Sequence, residues 1–161
     1  MTTIAWDGKT LAADRLSVGG NTRFGEITKI VKSPSGVLAG GAGNLTTTAG
    51  FIRWVKDGMK GKKPPLSGST ILMIYPDGSV EIHDENGYSP VEAEYAAIGS
   101  GEDYALAVMA LGHTAKEAVG AAIKVSVVSG GGIDCLTLDK PSVKKANGPG
   151  KGTKRNTRRR G

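Results

Sequence analysis

Cysteine is almost absent. Cys135 stands alone in a chain of 161 residues, so no internal disulfide can form and no cysteine-rich metal site can be built. The two histidines, His83 and His113, are too few for a zinc cluster of their own and read as structural or surface residues. Aromatics make up only 5%, which leaves Val, Ile, Leu and Ala to fill the core. No apolar run approaches the roughly 18 residues of a membrane span, and the first residues lack the basic start and apolar stretch of a secretory signal. The expectation is a reducing, cytoplasmic setting without membrane contact. Gly40-Gly41-Ala42-Gly43 also lacks the lysine and hydroxyl residue of a phosphate loop, so no ATP site is inferred and no cofactor or metal is expected.

Acidic residues are missing from one end. Beyond Lys140 the chain has eight Lys and Arg residues and no acid, so the net charge of +6 misdescribes the rest. Up to Lys140 there are 13 basic and 15 acidic residues, a net of −2. The reading is a single domain over 2–140 and a flexible basic tail over 141–161.

Glycine, in contrast, is abundant at 25 residues and points to turns and strands. Asp7-Gly8 reads as a two-residue hairpin turn that pairs Thr3 to Trp6 with Lys9 to Ala13. A third strand is expected over Glu26 to Val31, followed by the Pro34-Ser35-Gly36 turn and Val37-Leu38-Ala39. Gly40 to Gly43 is expected to break the sheet before a helix from Leu45 to Met59, with Phe51, Trp54 and Val55 on its buried stripe. Thr70 to Tyr75 and Ser79 to His83 read as paired strands around Pro76-Asp77-Gly78. A helix is expected from Glu102, and Thr114 with Glu117 has capping-box spacing for another. Ile133 to Leu138 supplies a last strand, with Cys135 expected to be buried. Strands covered by helices make an α+β domain.

The chain start carries a chemical possibility. The small residue at position 2 suits removal of Met1, after which Thr2 would hold a hydroxyl and a free α-amine side by side. That amine, with a reference pKa of about 7.7–8.0, can take the hydroxyl proton near neutral pH without a histidine. Taken alone, Thr2 reads as an ordinary residue after the initiator, because small residues at position 2 are common.

Five pieces in order alter that balance: Thr2-Thr3-Ile4; Leu11-Ala12-Ala13-Asp14; Lys29 ahead of a strand; Gly40-Gly41-Ala42-Gly43 leading into a helix; and Ala97-Ile98-Gly99-Ser100-Gly101 followed by Tyr104-Ala105. In these the chain resembles the proteasome β-subunit family of N-terminal-nucleophile hydrolases, and among them the peptidase subunit of the bacterial ATP-dependent ring protease. The resemblance spans Thr2 to about Asp139. It implies a four-layer αββα sandwich and a threonine-type endopeptidase or amide hydrolase. By motif, Thr2 resembles the nucleophile, Lys29 the essential lysine and Asp14 the buried acid paired with it. Gly43 resembles the glycine whose N–H meets the oxyanion. Ser100 and Ser129 resemble two serines near the terminal amine. Ser126 departs from the family pattern, which often has aspartate three residues before the second serine.

The resemblance further implies self-association into rings around a chamber and peptide or unfolded-protein substrates. An ATPase partner is compatible with it. Gly41 and Ala42 fall near the family's first specificity pocket, where their small side chains leave space. A catalytically silent assembly or scaffold protein is the competing reading, favoured by Ser126. The tail admits two readings, non-specific nucleic-acid contact through its phosphates or a solubilising, assembly-directing segment, and no base-reading motif accompanies its charges.

Overall fold

The computed structural model describes residues 2–139; the 141–161 tail lies outside the described residues, as does Lys140. In chain order the elements are β1 (Ile4–Trp6), β2 (Thr10–Asp14), β3 (Leu16–Gly19), β4 (Thr22–Glu26), β5 (Ile30–Lys32), β6 (Leu38–Gly43), α1 (Leu45–Lys56), β7 (Ser69–Ile74), β8 (Val80–Asp84), β9 (Gly87–Pro90), β10 (Ala96–Ile98), α2 (Glu102–Ala110), α3 (Ala115–Val125) and β11 (Ile133–Thr137). The fold is α+β. Among the described residues no helix is long and apolar enough to cross a membrane.

Two antiparallel sheets dominate, one ordered β10-β1-β2-β11 and the other β5-β6-β7-β8-β9. Their central strands are apolar on both faces, and the period of two sorts each side chain to a different neighbour. Ile4, Trp6, Leu11 and Ala13 share a buried cluster with Leu38, Leu72 and Ile74 of the other sheet. Their sequence neighbours Ala5 and Ala12 instead pack with Ala105, Met109, Ala118 and Val119 of α2 and α3. On the second sheet, Ala39, Ile71 and Met73 pack with Phe51 and Val55 of α1. Alanine on the helix-facing sides of β1 and β2 lets α2 and α3 approach closely.

Several expectations need correction. The first hairpin turn is wider than two residues: Trp6 pairs with Leu11, and the Asp7 carboxylate accepts from the N–H groups of both Lys9 and Thr10 at 3.0 and 2.7 Å. That side-chain cap replaces the tight turn and leaves the facing of β2 unchanged, since the register moves by an even step.

Residues 26–31 do not form one strand. Glu26 ends β4, Ile30 begins β5, and between them Ile27 N–H donates to Arg15 O while Gly41 N–H donates to Lys29 O. The segment changes partners there and cannot stay in one ladder. The hairpin of β3 and β4 was not anticipated, because β4 is exposed throughout and shows no apolar alternation. Its turn signal, Gly20-Asn21 with Gly20 at φ +58°, is nonetheless present.

Gly40 to Gly43 does not break the sheet. All four residues belong to β6 and pair with β7 from Leu72 back to Ser69. Glycine is needed at position 40 for closeness: a Cβ there would lie 2.9 Å from Ile30 and 3.0 Å from Ile4. The following helix α1 ends at Lys56 instead of Met59. Gly58 N–H bonds Val55 O and Met59 N–H bonds Trp54 O, the paired bonds of a left-handed helix stop. Gly87–Pro90 form β9, which had no strand signal in the sequence, and Thr114 and Glu117 form the capping box on α3. Cys135 is exposed, not buried. It pairs with the fully buried Ala12, but β11 is the outermost strand on its side of the sheet.

His83 is buried in a polar chain. Lys63 Nζ donates to His83 Nδ1 at 2.8 Å, and His83 Nε2 donates to Glu81 at 2.8 Å, an arrangement that requires a neutral ring. Burial, reinforced by Lys63 and opposed by Glu81, lowers the pKa of His83 below its ordinary 6.5.

Two predictions follow from this packing. Gly40→Ala should lower unfolding free energy by about 1–3 kcal/mol, the usual cost of overpacking, as read from denaturant titration. The folded state binds fewer protons at His83 than the unfolded chain does. Its stabilising contribution is therefore present above the ordinary imidazole value and lost as pH falls through the folded one. Stability of His83→Gln should decline less between about pH 7 and about pH 5 than that of the parent; an equal decline would contradict this.

Candidate active site

The chain start is held by backbone contacts that only glycine permits. Thr2 O accepts from Gly101 N–H at 3.3 Å, and the Thr2 nitrogen lies 3.2 Å from Ser100 Oγ. That nitrogen is a peptide N–H while Met1 is attached and would be an amine after its removal. Gly99 sits at φ +98°, and a Cβ there would collide with Thr2 O; one at Gly101 would collide with the Thr3 hydroxyl. The cap position of α2 is Gly101, so Ser100 is not the cap of that helix.

Thr2 and Thr3 point to different surroundings. Thr3 is fully buried, its N–H donates to Asp14 Oδ1 at 2.9 Å, and its hydroxyl lies 2.7 Å from Ser129 Oγ. Ser129 therefore meets Thr3, while Ser100 is the side-chain partner of the Thr2 nitrogen. Thr2 itself borders a cavity of about 160 Å³ shared with Lys29, Gly41, Gly43 and Thr48.

Below that cavity lies a buried ion pair. Lys29 Nζ donates to Asp14 Oδ1 at 2.9 Å and to Leu16 O at 2.8 Å, and neither charged side chain is more than 3% exposed. The other carboxylate oxygen of Asp14 accepts from Gly130 N–H at 3.1 Å. Burial pushes the Lys29 ammonium below its ordinary pKa, and the Asp14 carboxylate opposes that shift without cancelling it. An ammonium in this condition can hold positive charge beside the cavity or yield a proton more readily than an exposed lysine.

Gly43 is fixed by space and by angle. It sits at φ +117°, where a Cβ would strike Gly68 O and Ser69. It borders the first cavity and also a second, of about 400 Å³, walled by Thr2, Ala42, Ser69, Ser100 and Glu102. Of the two small residues expected at one specificity pocket, Gly41 lines the first cavity and Ala42 the second. Asn44 caps α1, its side-chain oxygen accepting from Thr47 N–H.

All six residues singled out in the sequence thus fall into one connected group: Thr2, Lys29 and Gly43 at the first cavity, Ser100 on the Thr2 nitrogen, Asp14 beneath, and Ser129 joined through Thr3. Ser126 stands apart, its hydroxyl accepting from Val128 N–H at 3.3 Å. Sequence reasoning missed the Thr3 contacts, the Gly130 N–H and the wall position of Glu102. The first two are set by backbone geometry, and Glu102 carried only the signal of an acid in a helix's first turn.

Comparison with solved structures places this architecture. The chain has a proteasome-like fold. Thiobacillus denitrificans BPH, a bacterial proteasome homologue, matches at a TM-score of 0.66 and 18% identity, covering 86% of this chain and 98% of its own. The match is the same for the structure in complex with epoxomicin and for BPH described without it. No protein-family model and no curated protein matches the sequence.

The ion pair gives a direct test. Asp14→Ala strands a buried ammonium and should cost about 3–5 kcal/mol of stability. Adding Lys29→Met should restore only part of it, since the Thr3 and Gly130 N–H groups still lose their acceptor, at about 1–3 kcal/mol each. Denaturant unfolding of the two variants measures both terms, and full recovery in the double variant would show that Asp14 serves the lysine alone.

Proposed function

We propose that the chain is a threonine-type peptide or amide hydrolase of the N-terminal-nucleophile kind, with Thr2 as nucleophile once Met1 is removed. The fold would then be the four-layer αββα sandwich. The observation that carries the reading is the buried Asp14–Lys29 pair beside a cavity that Lys29 shares with Thr2. An ammonium buried beside the chain start has a use where a hydroxyl there must lose a proton.

In this mechanism Thr2 Oγ attacks the substrate carbonyl while the Thr2 amine takes its proton. Lys29, neutralised on one side by Asp14, supplies positive charge that favours the alkoxide. The backbone N–H at Gly43 stabilises the tetrahedral oxyanion, and the glycine lets substrate approach the chain closely. The C–N bond breaks as the amine returns its proton to the leaving nitrogen, leaving an ester on Thr2. Water activated by the same amine then releases the acid and regenerates the hydroxyl. Ser100 holds the Thr2 nitrogen, while Ser129 holds Thr3 and so acts on the site at one remove.

Self-association into rings belongs to this reading, as BPH is a proteasome homologue. An ATPase partner is compatible with it. A scaffold without catalysis is the second reading, supported by Ser126, whose hydroxyl is engaged in the turn after α3 instead of reaching Thr3 or Ser129.

Intact mass separates the two. The expected result is loss of Met1 from the purified chain and one covalent adduct from epoxomicin, the compound bound to BPH, with no adduct on Thr2→Ala. Retention of Met1 on every assembled chain would leave only the scaffold reading.

A further inference from the structure

Two cavities meet at Thr2, and they differ in chemistry. Lys29 lines only the first, whose wall is otherwise free of charged side chains and includes Leu16, Leu45, Ala49 and Ile52. Ser100, which holds the Thr2 nitrogen, lines only the second. The charged side chain of that second wall is Glu102, and the Gly68 N–H in the same wall carries the Glu85 carboxylate at 3.3 Å. No lysine or arginine lines it among the described residues.

The order of proton transfers decides which cavity takes which half of the substrate. An amide nitrogen departs only after it gains a proton, and the proton comes from the Thr2 nitrogen that removed it from Oγ. The leaving half must therefore lie on the side of that nitrogen. This is the Ser100 side, the cavity walled by Glu102, while the acyl half lies over the apolar cavity beside Lys29. Ser69 adds little freedom to the leaving side, because its hydroxyl already accepts from Asn44 N–H at 3.1 Å.

We infer that Glu102 determines specificity on the leaving-group side, selecting substrates with Lys or Arg immediately after the cleaved bond over those with Asp or Glu there. This rests on Thr2 being the nucleophile. A basic side chain in the second cavity meets the Glu102 carboxylate, with Glu85 adding to the same field. An acidic side chain is repelled by both. Glu102 is exposed, so the effect is moderate and sensitive to salt.

The test uses the mature full-length protein and pairs of internally quenched peptides that differ only in Lys or Glu after the cleaved bond, with products identified by mass. The expected kcat/KM ratio favours Lys by about three- to fivefold at low ionic strength, and shrinks at about 1 M salt. Glu102→Gln should bring the ratio towards one and Glu102→Lys should invert it. Asp103→Asn, on the same helix turn but outside the cavity wall, should leave it as in the parent. A ratio that Glu102→Gln does not change overturns the inference while leaving Thr2-dependent hydrolysis standing. So does a ratio that falls equally in Asp103→Asn, since it would then report the general field of the helix. If no peptide is cleaved in a way that Thr2→Ala abolishes, the nucleophile reading falls and this inference with it.

Discussion

A lysine and an aspartate buried against each other constrain the geometry of the whole site. Taking two charges out of water is expensive, and their attraction offsets the cost only if the remaining donors and acceptors are also satisfied. Here the surroundings are assembled from three separated parts of the chain: the chain start, the corner between β2 and β3, and the turn before β11. Asp14 closes β2, Thr3 supplies an N–H from the chain start, Leu16 a carbonyl from the next strand and Gly130 an N–H from the turn before β11. Displacing any one of them exposes or orphans a charge, so the pair acts as a gauge of register for the first sheet. It also explains why residues 27–29 leave the strand ladder: Lys29 has to turn inward at the point where the chain passes from one pairing partner to the next.

Close backbone approach is the second constraint, and it acts on the same few residues. Gly99 and Gly101 bring the turn before α2 onto Thr2 and Thr3, while Gly43 brings the end of β6 to the cavity rim. Each position lacks room for a methyl group, so the substitutions that would ordinarily stiffen a loop are barred there. Packing between the sheets extends the requirement to Gly40, beneath Ile4. Ile4 is next but one to Thr2, and its seat against Gly40 fixes the height at which the chain start enters the site.

Much of this was legible in the sequence, for reasons that differ between residues. The β1–β2 hairpin, the strand pair β7–β8 and the α3 capping box carry local chemistry, and each formed within a residue or two of its expected place. The Asp14–Lys29 pair was legible only through motif resemblance, because nothing local distinguishes a buried lysine from a solvated one. What was lost shares a cause as well. The glycine run in β6 reads as a break because glycine is a poor strand former, and only the ring of Ile4, Ile30, Ile71 and Thr48 around it makes it necessary. Cys135 has a buried residue's neighbours in sequence and an edge strand's exposure in space.

The departure at Ser126 is best weighed by what the nearby groups already hold. The Thr3 N–H is held by Asp14 and Asp14 by Gly130, while Thr3 and Ser129 share one hydrogen bond between two hydroxyls, which leaves one hydroxyl proton for a further acceptor. The hydroxyl of Ser126 instead fixes the turn through Val128, two residues before the Gly130 N–H that completes Asp14. Its influence on the site is then mechanical, through the path of the 126–130 turn. Ser129 meets Thr3, Thr3 and Asp14 lock the strand, and in the proposed mechanism the electrostatic work at Thr2 falls to Lys29 and Ser100. On the proposed hydrolase reading, what position 126 must supply is the course of this turn, since the proton transfers of that mechanism run between Thr2 and the substrate it attacks.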